Sequence, residues 1–410
     1  TTLAAGTIAV DTWYHVVATW DGANLSLYLD GESIDTDTSG TAVSVSASPR
    51  IGRSALGGSQ YWEGNIAHLA LYDSALSQAQ INELVLTARP PVLRYKLELS
   101  ASAADSALTD YATRVGTASI TTAQNTALFS TDTGSGADVW FSSDEAGTLP
   151  IDGKLVYWDD ATSKFAFDVK FASVSAVSGA TIYMQVGSKP GGYGTDPYRA
   201  TAEAVIPLAS DFDDLTGNGN DATAQGGITA GGATGPDGHT PATVFDVDGT
   251  SDYLDLPTIV EGNQDNSISL WSRKRADADQ SFVLYMFGTS FAADDRFYLI
   301  LQTDDAISSR IGGGASFEGG DEGDAEAWNH YALTYDHSTG DATIYQNGVA
   351  VQTASSQSLT GDPGTQRLGR AGDAAARYWD GDMARFAAHS SLLSAAEIKA
   401  DYLLQGSTAS

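Results

Sequence analysis

Cysteine is absent from the 410 residues. That removes disulfide frameworks, thiolate metal sites and cysteine nucleophiles together, though it assigns no compartment. Basic residues are scarce, 21 Lys and Arg against 52 Asp and Glu, for a formal net charge of −31. Nucleic-acid backbones and anionic membrane surfaces need Lys and Arg, so both are excluded as partners. Apolar runs of roughly 18 residues or more are missing, and membrane insertion by a helix is not expected. There is no Gly-x-Ser-x-Gly elbow and no phosphate-cradling glycine loop with its lysine. The six His show no paired metal spacing, and His15 and His330 read as structural. The acidity itself reads mainly as solubility in a salty medium, because the Asp residues are scattered through turns along the whole chain.

What is present is a duplication. Trp13-Tyr14-His15 answers Trp328-Asn329-His330, and Thr19-Trp20-Asp21 answers Thr334-Tyr335-Asp336. Leu27 to Gly31 answers Ile344 to Gly348, and Ile51-Gly52-Arg53 answers Leu368-Gly369-Arg370. Tyr61-Trp62-Glu63-Gly64 answers Tyr378-Trp379-Asp380-Gly381. Both copies close on Leu-Ser-x-Ala-x-Ile, at Leu76–Ile81 and Leu393–Ile398. Identities kept in order along both stretches mark a repeated module.

The fold class is all-β, built of antiparallel sandwiches of jelly-roll type, with a short capped helix closing each repeated unit. In the first copy 15–20 and 24–29 alternate apolar and polar residues around Asp-Gly turns, and 66–72 reads as a further strand. Ser77 with Gln80, and Ser394 with Glu397, form capping boxes that start the two helices. Arg89-Pro90-Pro91 reads as a stiff linker, which places a first unit at 1–89, a middle β-sandwich at 90–207 and a third unit at 208–410. The third unit holds both halves of a jelly roll, whereas the first holds only the C-terminal half. Half a sandwich leaves open sheet edges and an uncovered apolar face. The chain opens on Thr1 rather than Met, and the expectation is that upstream residues complete the first unit. Donation of strands by another chain, or docking on the middle unit, are the two other accounts.

These residues carry a resemblance. Trp-x-His followed by a Tyr-bearing strand and Asn-Gly or Asp-Gly, then Gly-Arg, aromatic-x-Gly and the Leu-Ser helix start, resembles the concanavalin A-like, laminin-G-like jelly-roll family. Asp213 to Asp221 and Phe245 to Tyr253 resemble the family's opening turn and its Phe-Asp-Gly strand. One departure stands out: many members carry Ile-Asp-Glu-Val after aromatic-x-Gly, and this chain has Ile66-Ala67-His68-Leu69 and Met383-Ala384-Arg385-Phe386. The middle unit is similar to an uncharacterised β-domain found beside such jelly rolls in secreted and phage proteins. The resemblance fixes fold more than function, since members include lectins, adhesion modules, enzyme appendages and structural proteins.

Two sites are expected. Asp246, Asp248 and Asp252, with Asp213 and Asp221, supply hard oxygens of the kind Ca²⁺ takes, although Asp in turns also serves its own backbone. Strand alternation around aromatic-x-Gly puts Trp62 and Trp379 inward and Tyr61 and Tyr378 outward, where a Tyr can stack on a sugar beside Asp380 and Arg377. Trp13, Trp20, Trp271 and Trp328 read as core. Glu322-Gly323-Asp324-Ala325-Glu326 has the spacing of a β-glucanase triplet, but the Gly-rich surroundings read as a loop. The expectation is therefore a non-catalytic extracellular, cell-surface or virion-surface protein that recognises a surface polysaccharide or glycoprotein glycan, with calcium as a candidate cofactor. The alternative is a structural subunit contacting other chains of a surface or virion assembly, and a glycoside hydrolase stands third.

Overall fold

The computed structural model describes residues 13–38, 50–52, 61–88, 93–99, 106–131, 136–175, 177–187, 189, 193–194, 196–245, 252–259, 261–275, 282–287, 296–302, 306–320, 327–360, 366–371 and 378–405. The first unit contributes β1 (Val16–Trp20), β2 (Leu25–Leu29), β3 (Glu32–Asp37) and α1 (Gln78–Ala88), with the strands paired as one antiparallel meander.

The middle unit contains β4 (Leu93–Leu99), β5 (Leu108–Gly116), α2 (Thr122–Thr131), β6 (Val139–Ser142), β7 (Pro150–Ile151), β8 (Gly153–Asp159), β9 (Lys164–Val174) and β10 (Ala180–Val186). Its two sheets, ordered β4-β10-β6-β7 and β5-β9-β8, enclose a core in which Phe141 meets Phe167 edge to face at 5.4 Å. Helix α2 was not foreseen, because its apolar residues show no single stripe; it lays Phe129 against Trp158 at 4.4 Å.

The third unit, expected from 208, starts earlier, with β11 (Ala202–Ile206) already part of its sheet, followed by β12 (Thr223–Gln225), β13 (Thr229–Thr234), β14 (Pro241–Phe245), β15 (Tyr253–Leu256) and β16 (Asn266–Lys274). It continues with β17 (Phe282–Phe287), β18 (Phe297–Leu301), β19 (Ile307–Ile311), β20 (Phe317–Gly319), β21 (Asn329–Asp336) and β22 (Asp341–Gln346). β23 (Val349–Ala354), β24 (Gln366–Leu368), β25 (Gly381–His389) and α3 (Ala395–Gln405) complete it. One sheet runs β13-β14-β25-β16-β21-β22-β23, with β11 added on β25, and the other β12-β15-β24-β17-β18-β19-β20. Between them lies a continuous core that includes Phe245, Tyr285, Phe297, Tyr335, Trp379 and Phe386.

The duplication extends to single hydrogen bonds. The N–H of His15 donates to Asp30 Oδ1 (2.7 Å) and the N–H of Asp30 to the His15 carbonyl (2.7 Å). His330 and Asn347 repeat the exchange at 2.9 and 2.8 Å. The N–H of Trp62 reaches the Gly52 carbonyl at 2.9 Å, as Trp379 reaches Gly369 at 2.7 Å. Gly64 and Gly381 share φ 153°. At Gly381 a Cβ would lie 2.1 Å from the Arg273 carbonyl, which explains the glycine of the aromatic-x-Gly motif.

The copies then diverge. β25 lies between β14 and β16, while 66–72, expected as a strand, joins no ladder among the described residues. A strand's bonds come from its neighbours, and among the described residues none is placed beside 66–72 as β14 and β16 are beside β25. Trp379 and Trp271 are buried as expected, but Trp62 and Trp13 are each 55% exposed, and Trp20 and Trp328 are only half-buried. This difference predicts unequal costs for one substitution. Trp379→Ala should destabilise the third unit by about 3–5 kcal/mol, and Trp62→Ala should stay within about 0.5 kcal/mol, as measured by denaturant melts of the two variants.

Candidate functional site

The end of the third unit where β15 and β24 pair gathers aromatic rings and guanidinium groups. Tyr253, on β15, is half-buried, with Arg367 stacked 4.9 Å and Arg370 4.7 Å from its ring centre. Arg370 also lies 5.2 Å from the ring of Tyr378, and the two rings are 6.5 Å apart. An antiparallel bridge between Arg370 and Tyr378 holds the backbone of this corner. Arg367 Nε donates to Asp255 Oδ1 at 2.9 Å, which fixes the guanidinium over the ring.

Tyr378 was expected to face outward and is instead only 9% exposed. Alternation assumes two free faces, but here Trp379 fills the core on one side and Arg370 covers Tyr378 on the other. The half-open ring at this corner is Tyr253, which the alternation argument passed over. Asp380 accepts from Arg275 Nη1 at 3.0 Å, so its carboxylate is engaged in an ion pair across to the end of β16. Tyr61, in the first copy, is exposed. Arg377 lies outside the described residues.

Of the expected calcium ligands, Asp252 is buried and turns its Oδ1 to the N–H of Gly227 (2.6 Å). Asp221 Oδ1 accepts the N–H of Asp214 (2.8 Å). The Asp213 carboxyl is held above its ordinary range, first by the charge of Asp211. Asp246 and Asp248, and the Glu322–Glu326 triplet, lie outside the described residues. Among the described residues no group of three or more His, Asp or Glu side chains is placed to hold a metal ion.

The strongest electrostatic feature is one that the composition does not advertise, a buried seam between the middle and third units. Asp168, on β9, is fully buried and accepts from Arg114 Nε (3.1 Å), Arg385 Nη1 (2.7 Å) and the Tyr198 hydroxyl (2.7 Å). Burial pushes its carboxyl up, but Arg114, Arg385 and the hydroxyl prevail and hold it well below the usual carboxylate range. Arg385 sits at φ 42°, beside the register shift between β16 and β25, with its N–H on the Pro207 carbonyl (2.8 Å). Nearby, the Tyr111 hydroxyl and Gln405 Nε2 both donate to Asp401 Oδ1 at 2.7 Å. Burial raises the Asp401 carboxyl to about 6 against the opposing charge of Arg385 and the Tyr111 hydroxyl. A small cleft here is lined by Tyr111, Tyr198, Arg199, Arg385, His389 and Asp401. Burial also lowers His330 and His389 to about 3, so both are neutral at pH 7. The one sequence signal for this seam was Arg385 itself, standing where relatives carry an acidic residue.

The chain belongs to the concanavalin A-like lectin/glucanases superfamily, whose sequence model matches residues 1–82 and 248–399, together more than half of the chain. A search of the curated proteins returned no match. Among solved structures, the receptor binding domain of botulinum neurotoxin C/D mosaic serotype is similar at 13% identity and TM-score 0.40, over 50% of this chain and 51% of that one. The binding domain of Paraclostridial Mosquitocidal Protein 1 is similar at 15% identity and TM-score 0.39, over 48% and 51%. Domain 4 of AbnA, a GH43 extracellular arabinanase from Geobacillus stearothermophilus, in complex with arabinotriose, is similar at 21% identity and TM-score 0.39, over 48% of this chain and 97% of that one. The chain thus spans about half the length of the two toxin binding domains.

The seam makes two opposed predictions. Asp168→Asn leaves two buried guanidinium groups against a neutral amide and should cost about 3–5 kcal/mol. Because the folded carboxyl titrates below the unfolded one, this contribution is present above about pH 4 and lost on acidification. Asp401 has the reverse sign: the folded state holds its proton more tightly, so stability falls as pH rises from about 4 to about 6. Asp401→Asn keeps an acceptor for Tyr111 and Gln405, and should flatten that slope and gain about 2 kcal/mol at pH 7.5. Denaturant melts of both variants from pH 3 to 8 check the signs.

Proposed function

We propose that this is a non-catalytic binding protein of the extracellular, cell-surface or virion-surface kind, and that it recognises glycans at the Tyr253–Arg370–Tyr378 corner of its third unit. The observation that carries the reading is the half-open Tyr253 ring, set between Arg367 and Arg370 with Tyr378 behind. With Arg367 and Arg370 over the ring, a sugar meets its open edge, and guanidinium N–H groups reach the sugar's hydroxyls. The cluster is already ordered by the Arg367–Asp255 ion pair, so little side-chain freedom is lost on binding. Glycosidic cleavage needs two carboxyl groups facing one another across the sugar. Around this corner Asp255 and Asp380 are each committed to an arginine, which favours binding over hydrolysis. Calcium enters the proposal only through the acidic sequence segment of Asp246 and Asp248, which lies outside the described residues.

A second reading, a structural subunit of a surface or virion assembly, is favoured by one observation, the exposed apolar side chains of the first unit. A broad glycan array on the full chain, with and without a chelator, separates the two. Binding should fall at least about tenfold in Tyr253→Ala, the equivalent of ~1.4 kcal/mol, and further in Tyr378→Ala, which also unseats Arg370. Silence across bacterial and marine polysaccharides, with symmetric oligomers forming in the absence of sugar, would transfer the assignment to the structural subunit. Loss of binding in chelator would support calcium as a cofactor of binding.

A further inference from the structure

Among the described arginines that are buried or half-buried, all but Arg370 reach a carboxylate or a main-chain carbonyl. Arg370 is half-buried, and its Nε is enclosed with no hydrogen-bond partner. An N–H shut away from water without an acceptor costs free energy that the fold does not recover at this place.

The side chain is nevertheless held in one position. Gly369, at φ 82°, donates its N–H to the Leu284 carbonyl (3.2 Å) and accepts from the N–H of Trp379 (2.7 Å). A Cβ on Gly369 would lie 2.8 Å from the Phe245 ring, so the backbone leading into Arg370 is pinned against the core. The bridge to Tyr378 holds the next step, and the guanidinium lies 4.7 Å from the Tyr253 ring centre and 5.2 Å from that of Tyr378. Ring faces attract the charge but offer its N–H groups no ordinary acceptor. The carboxylates that flank this corner in sequence are engaged elsewhere: Asp255 with Arg367, Asp380 with Arg275, and Asp252 with the N–H of Gly227.

We infer that Arg370 anchors a sugar carboxylate, so that the glycan taken at this corner carries a uronic-acid residue; the inference rests on the glycan reading given above. A guanidinium and a carboxylate meet through two parallel N–H···O bonds, which a single hydroxyl does not match. The charge balance narrows the class further. With 52 acidic and 21 basic residues, the chain repels a polyanion at long range, while Arg370 supplies one unpaired positive charge at the corner. The ligand is therefore a largely neutral glycan with an isolated uronic acid at an end or a branch, and not a uniformly charged polymer.

Calorimetry on the full chain tests this with neutral oligosaccharides that end in one galacturonic, glucuronic or mannuronic acid. Each is paired with its carboxyl-reduced form, which keeps the sugar and loses the charge. At least one acid should bind about tenfold tighter than its reduced partner, and the advantage should shrink as salt is added. Arg370→Gln should bring that ratio close to one, and Arg370→Lys, a point charge without the fork, should leave it in between. Equal binding of acid and reduced forms, lost for both in Tyr253→Ala, would overturn the inference and leave the glycan reading standing. So would polygalacturonate binding tighter than every single-acid ligand, or a ratio that survives Arg370→Gln. Should Arg370→Gln not fold, the ratio and its salt dependence in the unaltered chain decide. Silence toward every sugar, acidic and neutral, would remove the glycan reading and this inference together.

Discussion

The ion pair between Arg385 and Asp168 ties the described architecture together. It joins β25, an interior strand of the jelly roll, to β9, the central strand of the neighbouring three-stranded sheet, and it does so in the dry interior. Two charges leaving water cost several kcal/mol each, and their attraction repays this only when every lone pair finds a donor. Asp168 meets that condition through Arg114, Arg385 and Tyr198. Such a pair adds little net stability compared with an apolar contact, but it accepts one geometry. Helix α3 continues the same seam: Ala396, Ala400 and Leu404 pack into the middle unit's core, Tyr111 bonds Asp401, and Glu397 pairs with Arg199 while serving the cap at Ser394. The helix that closes the jelly roll therefore also closes the sandwich beside it.

The same helix in the first copy shows how local and non-local information separate. Ser77 and Gln80 build the cap that Ser394 and Glu397 build, and α1 forms. A helix satisfies its own backbone, so local sequence suffices to start it. The segment 66–72 has the apolar pattern of β25 but joins no ladder among the described residues, since ladder bonds belong to neighbours. The turns follow the helix's rule: Asp30 and Asn347 take nearly equal left-handed φ values, 49° and 50°, one residue before a glycine in each copy.

What was legible in the sequence divides along that line. The duplication, the all-β class, both capped helices, the meander strands and the burial of Trp379 and Trp271 follow from period, turn chemistry and repetition. Trp62 and Trp13, expected in the core, are exposed because a tryptophan in such a pattern is buried only where a second sheet packs on it. Tyr378 was misread because alternation gives a side chain its direction but not what lies on top of it, here Arg370. The seam left a single trace, a basic residue at a position relatives fill with an acid, and no property of Asp168 or Arg114 in isolation marks them as its partners.

Arginine placement ties these findings to the proposed site. In a chain with 52 acidic and 21 basic residues, guanidinium groups are scarce, and the described ones are largely spent on holding structure. Arg114 and Arg385 meet Asp168, Arg199 meets Glu397, Arg273 meets Asp382, Arg275 meets Asp380 and Arg367 meets Asp255. Arg296 and Arg310 turn to the carbonyls of Gly312 and Gly314. Arg370 differs: it lies between two tyrosine rings, with no carboxylate partner among the described residues. In so acidic a chain, a cation held against aromatic faces at a half-open corner costs charge pairing that would otherwise stabilise the fold. A ligand with polar groups to accept its N–H donors recovers part of that cost, and a sugar's hydroxyls are such groups.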